Sequence, residues 1–106
     1  MIRAHFGTDE QGLICAVSLT GHADFTENGI DPLCAAVTGM VTLVANTLSE
    51  VLHVTCEIDA QTDGKFFLSV AKEGRESAQP VLLGLKVQLQ DYHAQYPKHV
   101  SVSVQD

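Results

Sequence analysis

The chain contains 106 residues, with 6 Lys and Arg against 13 Asp and Glu and a formal net charge of −7. A chain of this length fits one domain with a core of its own, so we predict a single domain over residues 1–106. The negative charge repels phosphate backbones and argues against nucleic acid as a direct partner. An acidic surface can steer a basic peptide or protein towards a site, and it also serves solubility alone.

The cysteine count indicates the compartment. Three cysteines without a CxxC pair do not form a disulfide framework, which is typical of a reducing, cytoplasmic interior. Residues 1–7 lack the layout of a signal peptide, and no apolar run long enough to cross a membrane occurs outside a plausible soluble helix. We therefore predict a cytoplasmic protein without a membrane span.

The N-terminal part of the chain reads as a hairpin followed by a loop. Residues 2–6 alternate apolar and polar side chains as strands do. Residues 13–19 read as a second strand, with Leu13, Cys15, Val17 and Leu19 on one face, and the polar turn 7–12 joins the two. The segment 20–31 is glycine-bounded and long for a structureless connection. Such segments often act as lids or binding elements, so we predict a mobile loop here.

A long apolar helix is predicted from Pro32 to about Leu52. Its core stripe follows helical spacing and consists of Leu33, Val37, Met40, Val41, Val44, Leu48, Val51 and Leu52. The opposite side is also nearly free of charge until Glu50. A helix that is apolar on two sides lies centrally in a core or is shared with a second subunit, so a homodimer is a reasonable hypothesis.

The C-terminal half repeats the pattern of two strands and a helix. Residues 54–58 and 66–70 alternate around the Asp63-Gly64 turn, which predicts a second hairpin. A helix is predicted from near Ser77 to Pro97, followed by a last strand over 100–104. Its first turn is expected to hold Pro80, and its apolar face to present Leu82, Leu85, Leu89, Tyr92 and Tyr96. The order ββαββαβ predicts an α+β fold with two helices packed on a mainly antiparallel sheet.

Cys34 stands out because its neighbours place it in the first turn of the long helix. Asp31 is a preferred N-cap residue, and Pro32 suits the first helical position. The partial positive charge at a helix N-terminus favours an anion, so the Cys34 thiol should ionise more readily there. His22 is close in sequence and is a candidate base. Cys34 as a buried packing residue remains the alternative.

The other thiols and imidazoles have simpler interpretations. Cys15 and Cys56 fall on the apolar faces of predicted strands, where a thiol is usually an inert core residue. The remaining histidines are most simply surface or capping residues, namely His5, His53, His93 and His99.

If His22 and Cys34 meet, the chemistry is that of a cysteine peptidase. The imidazole takes the thiol proton, the thiolate attacks a carbonyl carbon, and the imidazolium protonates the departing amine. Backbone N–H groups of Cys34 and Ala35 would stabilise the oxyanion, since the first turn of a helix offers them no intrahelical acceptor. Asp31 is expected to cap the helix first, and its carboxylate could also orient His22.

Two motifs make the sequence recognisable. Gly21-His22-Ala23, followed after a short loop by Gly29-Ile30-Asp31-Pro32-Leu33-Cys34-Ala35-Ala36-Val37-Thr38, strongly resembles the ribosomal-processing cysteine protease family, and the likeness covers essentially the whole chain. The resemblance implies a cytoplasmic bacterial endopeptidase that removes the N-terminal extension of a large-subunit ribosomal protein. It also implies a homodimer, cleavage after an aromatic residue, and a loop that orders over the substrate and includes Gly21, Ala23 and Gly29.

The resemblance also assigns roles to individual residues. It makes Cys34 the nucleophile, His22 the general base and Asp31 an accessory residue. Thr38 is a second accessory residue: family members commonly have Ser at this position, so the hydroxyl is retained and a methyl is added. Pro32 stands where an aliphatic residue is common, which stiffens the helix start without removing a catalytic group.

Other functions remain to be weighed against a peptidase. A non-catalytic homodimeric binding module would need Cys34 only as a packing residue. A zinc site on Cys34 and His22 lacks a third and fourth ligand at a recognised spacing, so we predict neither a metal nor a cofactor. The same peptidase acting on a phage structural protein is not separable from the ribosomal role by sequence.

Overall fold

The computed structural model describes residues 1–25, 31–61 and 63–105. The elements are β1 (Ile2–Thr8), β2 (Ile14–Thr20), α1 (Pro32–Asn46) with a π-helical turn (Thr47–Val51), β3 (Cys56–Asp59), β4 (Lys65–Val70), a 3-10 turn (Lys72–Gly74) leading into α2 (Arg75–Gln95), and β5 (Val100–Gln105). The ββαββαβ order predicted from the sequence is confirmed.

The strands form one five-stranded sheet in the order β3-β4-β2-β1-β5. Only the β1–β5 pair is parallel among the described pairs, so the sheet is mainly antiparallel, as predicted. β2 ends opposite the first residue of β4, and β5 begins beside Ile2 of β1. This topology brings Gly21, Gly64 and His99 to the same end of the sheet, although they lie far apart in sequence.

The helices cover one face of the sheet, where apolar side chains align across the strands. Phe6, Val17 and Leu68 occupy matching register positions on β1, β2 and β4, and each is essentially inaccessible to solvent. They join one cluster with the buried side of both helices, which supplies Leu33, Val37, Val41, Val44, Leu48, Ala78, Leu82, Leu85 and Leu89. Burial of this apolar surface is the main force that holds the two layers together.

The prediction that Cys15 belongs to the core is wrong. β1 and β2 shift register so that Gly7 pairs with Ala16 and Thr8 pairs with Ile14, which leaves Cys15 as the extra residue of a β-bulge. Because side chains alternate along a strand, one inserted residue exchanges the faces. Ile14 is therefore buried in place of Cys15, which is only partly covered. Cys56 does pack against the core, as predicted, and burial raises the pKa of its thiol.

The predicted apolar stripe of α1 holds only as far as Leu48. Val51 and Leu52 are exposed, because the chain passes into a π-helical turn in which the N–H of Leu52 bonds the carbonyl of Thr47. The wider turn rotates the following side chains away from the sheet. By length and composition alone, Pro32–Val51 could cross a membrane, but the core helix of a folded domain passes the same test.

The second helix begins earlier than predicted. It starts at Arg75 after a 3-10 turn, which places Pro80 in the second turn rather than the first. A proline there lacks the N–H that would bond the carbonyl four residues earlier, so this helix tolerates one missing hydrogen bond. It ends at Gln95, two residues before Pro97, as the sequence indicates.

Candidate active site

A cleft of about 530 Å³ opens between α1 and the β3–β4 hairpin, at the sheet end described above. Cys34 and His22 both line it, and so does Thr38, which follows Cys34 by one helical turn. The rest of the wall is largely apolar and includes Val37, Val41, Ala45, Ile58 and Phe66. These three candidate residues therefore share one concave surface, which is where a substrate would bind.

Asp31 caps the helix that carries Cys34. Its Oδ1 accepts hydrogen bonds from the N–H groups of Leu33 (3.0 Å) and Cys34 (3.2 Å), and its Oδ2 accepts one from the N–H of Phe25 (2.9 Å). Burial opposes ionisation of this carboxyl, but the backbone donors and the nearby His99 outweigh it, so the pKa of Asp31 lies below its ordinary value. The predicted cap is confirmed.

The sulfur of Cys34 has a partner that the sequence did not indicate. The backbone N–H of Ala23 donates to Cys34 Sγ at 3.1 Å. A donor aimed at the sulfur stabilises negative charge there, and the effect adds to that of the helix N-terminus. The thiol is partly buried at the edge of the cleft and is placed to receive a substrate.

His22 lines the same cleft, and its described partner is Asp63 rather than Cys34. Its Nε2 lies 3.8 Å from Oδ2 of Asp63, a residue at the tip of the β3–β4 hairpin, and both side chains are well exposed. Within the described part of the chain no hydrogen bond joins His22 to Cys34. The structure thus brings the two residues into one cleft without assembling the pair.

Asp31 does not orient His22, contrary to the expectation from sequence. All of its described hydrogen bonds go to backbone N–H groups of its own helix and of Phe25. The carboxylate beside His22 belongs to Asp63, which the sequence showed only as part of a turn. Gly64 makes room for the imidazole, since a Cβ at this position would lie 2.9 Å from His22 Nε2.

The premise for the predicted oxyanion donors is wrong. The Cys34 N–H is bonded to the Asp31 carboxylate, and the Ala35 N–H is bonded to the Asp31 carbonyl at 3.0 Å. Asp31 supplies both acceptors, one from its side chain and one from its backbone, so neither N–H group is free. The N–H that faces the reactive atom is instead that of Ala23.

Thr38 is exposed at the cleft, and its carbonyl accepts a hydrogen bond from the hydroxyl of Thr42 at 2.7 Å. Its position one turn beyond Cys34 fits the accessory role that the resemblance implies. That role stays a prediction.

The described part of the predicted loop is held in place at Gly21 and at Ala23. Gly21 adopts a φ of +89°, its N–H bonds the carbonyl of Gly64 at 2.8 Å, and a Cβ there would collide with the carbonyl oxygen of Met1. Only glycine fits such a site. Ala23 is fully buried. Gly29 and the rest of the predicted mobile loop, residues 26–30, lie outside the described residues.

His99 is part of the site, although the sequence suggested a surface or capping role. Its Nδ1 lies 2.8 Å from the carbonyl oxygen of Ala23, and its ring meets that of Phe25 edge to face at 5.3 Å. The Phe25 ring also packs on Tyr96 at the end of α2. No local sequence pattern predicts the contact between His99 and Ala23, because it depends on how β5 pairs with β1.

Over residues 1–25, 31–61 and 63–105, no group of three or more His, Cys, Asp and Glu side chains could hold a metal ion.

Comparison with known proteins identifies the family. A family model described as cysteine protease Prp matches residues 1–101. The chain belongs to the cysteine protease Prp family. The ribosomal processing cysteine protease Prp of Bacillus subtilis is 30% identical over 108 residues, covering 97% of this chain and 96% of the relative.

Two solved structures of the Staphylococcus aureus ribosomal processing protease Prp share the fold. One is bound to a covalently linked product peptide and matches with a TM-score of 0.88 at 23% identity, covering 98% of this chain and 99% of that chain. The other is bound to a substrate peptide and matches with a TM-score of 0.85 at 22% identity over the same shares. The predicted α+β fold and family are confirmed, and the protein is a cysteine peptidase rather than a non-catalytic binding module.

Proposed function

We propose that this peptidase removes the N-terminal extension of a large-subunit ribosomal protein, with Cys34 as nucleophile and His22 as general base. The observation that carries the proposal is the position of Cys34 Sγ, which takes an N–H hydrogen bond at a helix N-terminus on the wall of a cleft that His22 also lines. The Bacillus subtilis relative is a ribosomal processing protease, which supports the choice of substrate.

The proposed reaction runs in two halves. His22 accepts the Cys34 thiol proton, the sulfur attacks the carbonyl carbon of the scissile amide, and the imidazolium returns its proton to the departing amine. A thioester then joins Cys34 to the N-terminal fragment. Water attacks this thioester while His22 accepts its proton, which releases the carboxylic acid and restores the thiol.

The pair assembles only when the His22 ring approaches the sulfur. Its present neighbour, Asp63, is almost fully exposed and lies 3.8 Å away, and a contact of this length between two solvated side chains is weak. Release of His22 from Asp63 therefore costs little. We propose that a bound peptide favours the assembled arrangement, which would keep the enzyme inactive until substrate arrives.

The shape and charge of the protein fit such a substrate. The apolar walls around Val37, Val41 and Phe66 accept an apolar side chain, in keeping with cleavage after an aromatic residue. The net charge of −7 favours encounter with a basic ribosomal protein. A homodimer and a cytoplasmic location belong to the same proposal.

The test is incubation with the extended ribosomal protein from the same cell. Cys34→Ala should lower the cleavage rate at least about a thousandfold, because the covalent step is lost. His22→Ala should lower it about a hundredfold or more. Cys15→Ala is the matched control, since Cys15 is a partly covered thiol in the bulge outside the cleft, and it should cleave normally.

Undiminished cleavage by Cys34→Ala would reject the nucleophile assignment. Cleavage of a phage structural protein, with the extended ribosomal protein left intact, would reject the proposed substrate and retain the peptidase.

A further inference from the structure

We infer that His99 is a positioning residue for the nucleophile: it holds Ala23 by its carbonyl, so that the Ala23 N–H stays directed at Cys34 Sγ. This inference rests on the proposed role of Cys34. It adds a residue from the far end of the chain to a site otherwise built from the residues just after β2, from α1 and from the β3–β4 hairpin.

His99 is itself held rigidly by the framework. Its N–H bonds the carbonyl of Tyr96 at 2.9 Å, and its carbonyl accepts the N–H of Ile2 at 2.8 Å, where β1 and β5 begin to pair. Both neighbours belong to the packed layers, one at the end of α2 and the other in the sheet. The imidazole therefore projects from a fixed backbone towards Ala23.

The protonation of the ring follows from its partner. A carbonyl oxygen only accepts hydrogen bonds, so the contact of 2.8 Å between His99 Nδ1 and the Ala23 oxygen requires that Nδ1 carry the proton. Ala23 then makes two hydrogen bonds, accepting one from His99 and donating one to Cys34 Sγ at 3.1 Å. With its side chain fully buried as well, Ala23 cannot reorient without losing both.

Phe25, two residues after Ala23, contacts both the turn that carries His99 and the start of α1. The Phe25 ring lies edge to face against both His99 and Tyr96, with ring centroids 5.3 and 5.2 Å apart. The Phe25 N–H bonds the Asp31 carboxylate that caps α1. Residues 23–25 thus bridge the start of α1 and the turn between α2 and β5 that carries His99. The side-chain hydrogen bond from His99 fixes the segment to this turn.

Loss of this anchor should reduce the reactivity of Cys34 without exposing the core. An N–H hydrogen bond to a charged acceptor contributes more than a neutral one, and it does so only while the donor is held in place. When His99 no longer fixes the carbonyl, Ala23 samples other orientations. The sulfur then loses a hydrogen-bond donor. This loss destabilises the thiolate more than the thiol, because the bond to the charged form is the stronger one.

The experiment separates the donor of His99 from its ring. His99→Phe keeps an aromatic ring against Phe25 and removes the N–H, whereas His99→Asn places an amide N–H near the position of Nδ1 and removes the ring. His93→Phe is the matched control, because His93 Nδ1 also bonds a backbone carbonyl, that of Val100 at 2.7 Å, away from the nucleophile.

The first measurement is alkylation of Cys34 by iodoacetamide at pH 7 without substrate, followed by peptide mapping. His99→Phe should react several-fold to about tenfold more slowly, as expected for the loss of one charge-assisted hydrogen bond. His99→Asn should recover most of the wild-type rate, and His93→Phe should equal the wild type. Equal loss in the Phe and Asn variants, or a wild-type rate in His99→Phe, would overturn the inference.

A second measurement keeps His99 intact and so does not depend on whether the His99 variants fold. Amide exchange of Ala23 should be slow in the wild type and at least about tenfold faster in Cys34→Ala, because the acceptor of its N–H is removed. Equal exchange in the two proteins would refute the hydrogen bond. Neither readout requires cleavage, so failure of the proposed substrate would leave both interpretable.

Discussion

The backbone N–H of Ala23 and the sulfur of Cys34 lie 3.1 Å apart, although 11 positions separate the two residues in sequence. This contact joins the segment that follows β2 to the first turn of α1. Both features that act on the sulfur, the donated N–H and the helix N-terminus, favour negative charge. The thiol is therefore prepared by the backbone before His22 reaches it.

The charge of Asp31 should stabilise the fold at neutral pH and cease to do so in acid. The pKa of this carboxyl is held below its ordinary value of 3.8, so its contribution is complete above that value and is lost as the pH falls through the lower, folded-state pKa. Asp31→Asn keeps a good cap without the charge. Urea unfolding should show the wild type more stable than Asp31→Asn at pH 7, with the gap closing below about pH 3.8.

The cap itself is tested by Asp31→Ala, which should lower the free energy of unfolding by about 1 kcal/mol at pH 7. It leaves three backbone N–H groups without their acceptor, including that of Cys34.

The role of the charge is tested by Asp31→Asn. A difference in the free energy of unfolding between wild type and Asp31→Asn that is the same at pH 7 and in acid would contradict it.

Gly64→Ala should displace the His22 imidazole, whereas Gly12→Ala should not. Gly64 has a φ of +75°, and a Cβ there would lie 2.9 Å from His22 Nε2. Gly12 has a φ of +81° with nothing within 4 Å of the added Cβ, so Gly12→Ala is the matched control. Both should lose about 1 kcal/mol of stability from the left-handed backbone, as measured by thermal unfolding.

Only Gly64→Ala should also change catalysis, because only there must the imidazole move. The measurement is kcat/KM on a peptide substrate at a temperature where both variants are folded. Equal activity of the two variants would show that the ring position seen beside Asp63 has no bearing on turnover.

The element order was predictable because its signals are local. Alternating strands, helical spacing and the Asp31-Pro32 start of α1 each act within a few residues, and all are found in the structure. The bulge at Cys15 was not predictable, since it arises from the register of β2 against β1. The π-helical turn that exposes Val51 is a similar case, because an apolar stripe does not report a change of helical pitch.

Only the part of the site that depends on local sequence was predictable. Cys34 owes its position to its immediate neighbours, and the sequence placed it correctly at the third position of the helix. The contact between His99 and Ala23 depends on the parallel pairing of β1 with β5, which no local pattern specifies. The premise of the oxyanion prediction does not hold, because Asp31 accepts hydrogen bonds from the N–H groups of both Cys34 and Ala35.

Cys34 should react with an alkylating reagent faster than Cys56. Burial raises the pKa of the Cys56 thiol, so little of it is thiolate at pH 7. Cys34 Sγ has a backbone donor and lines the cleft. Brief treatment with iodoacetamide, read by peptide mapping, should therefore label Cys34 well before Cys56. Faster labelling of Cys56 would contradict this assignment of the nucleophile.

The homodimer predicted from α1 can be tested on one exposed side chain. Leu43 is 66% exposed on the side of α1 that faces away from the sheet, where the sequence offers little charge. If this side meets a second copy, Leu43→Glu would bury a carboxylate at the interface and should convert the dimer to a monomer in sedimentation velocity. Val87, which is 62% exposed on α2, provides the control. Val87→Glu should sediment as the wild type does, and a wild-type profile that is monomeric at micromolar concentration would reject the dimer altogether.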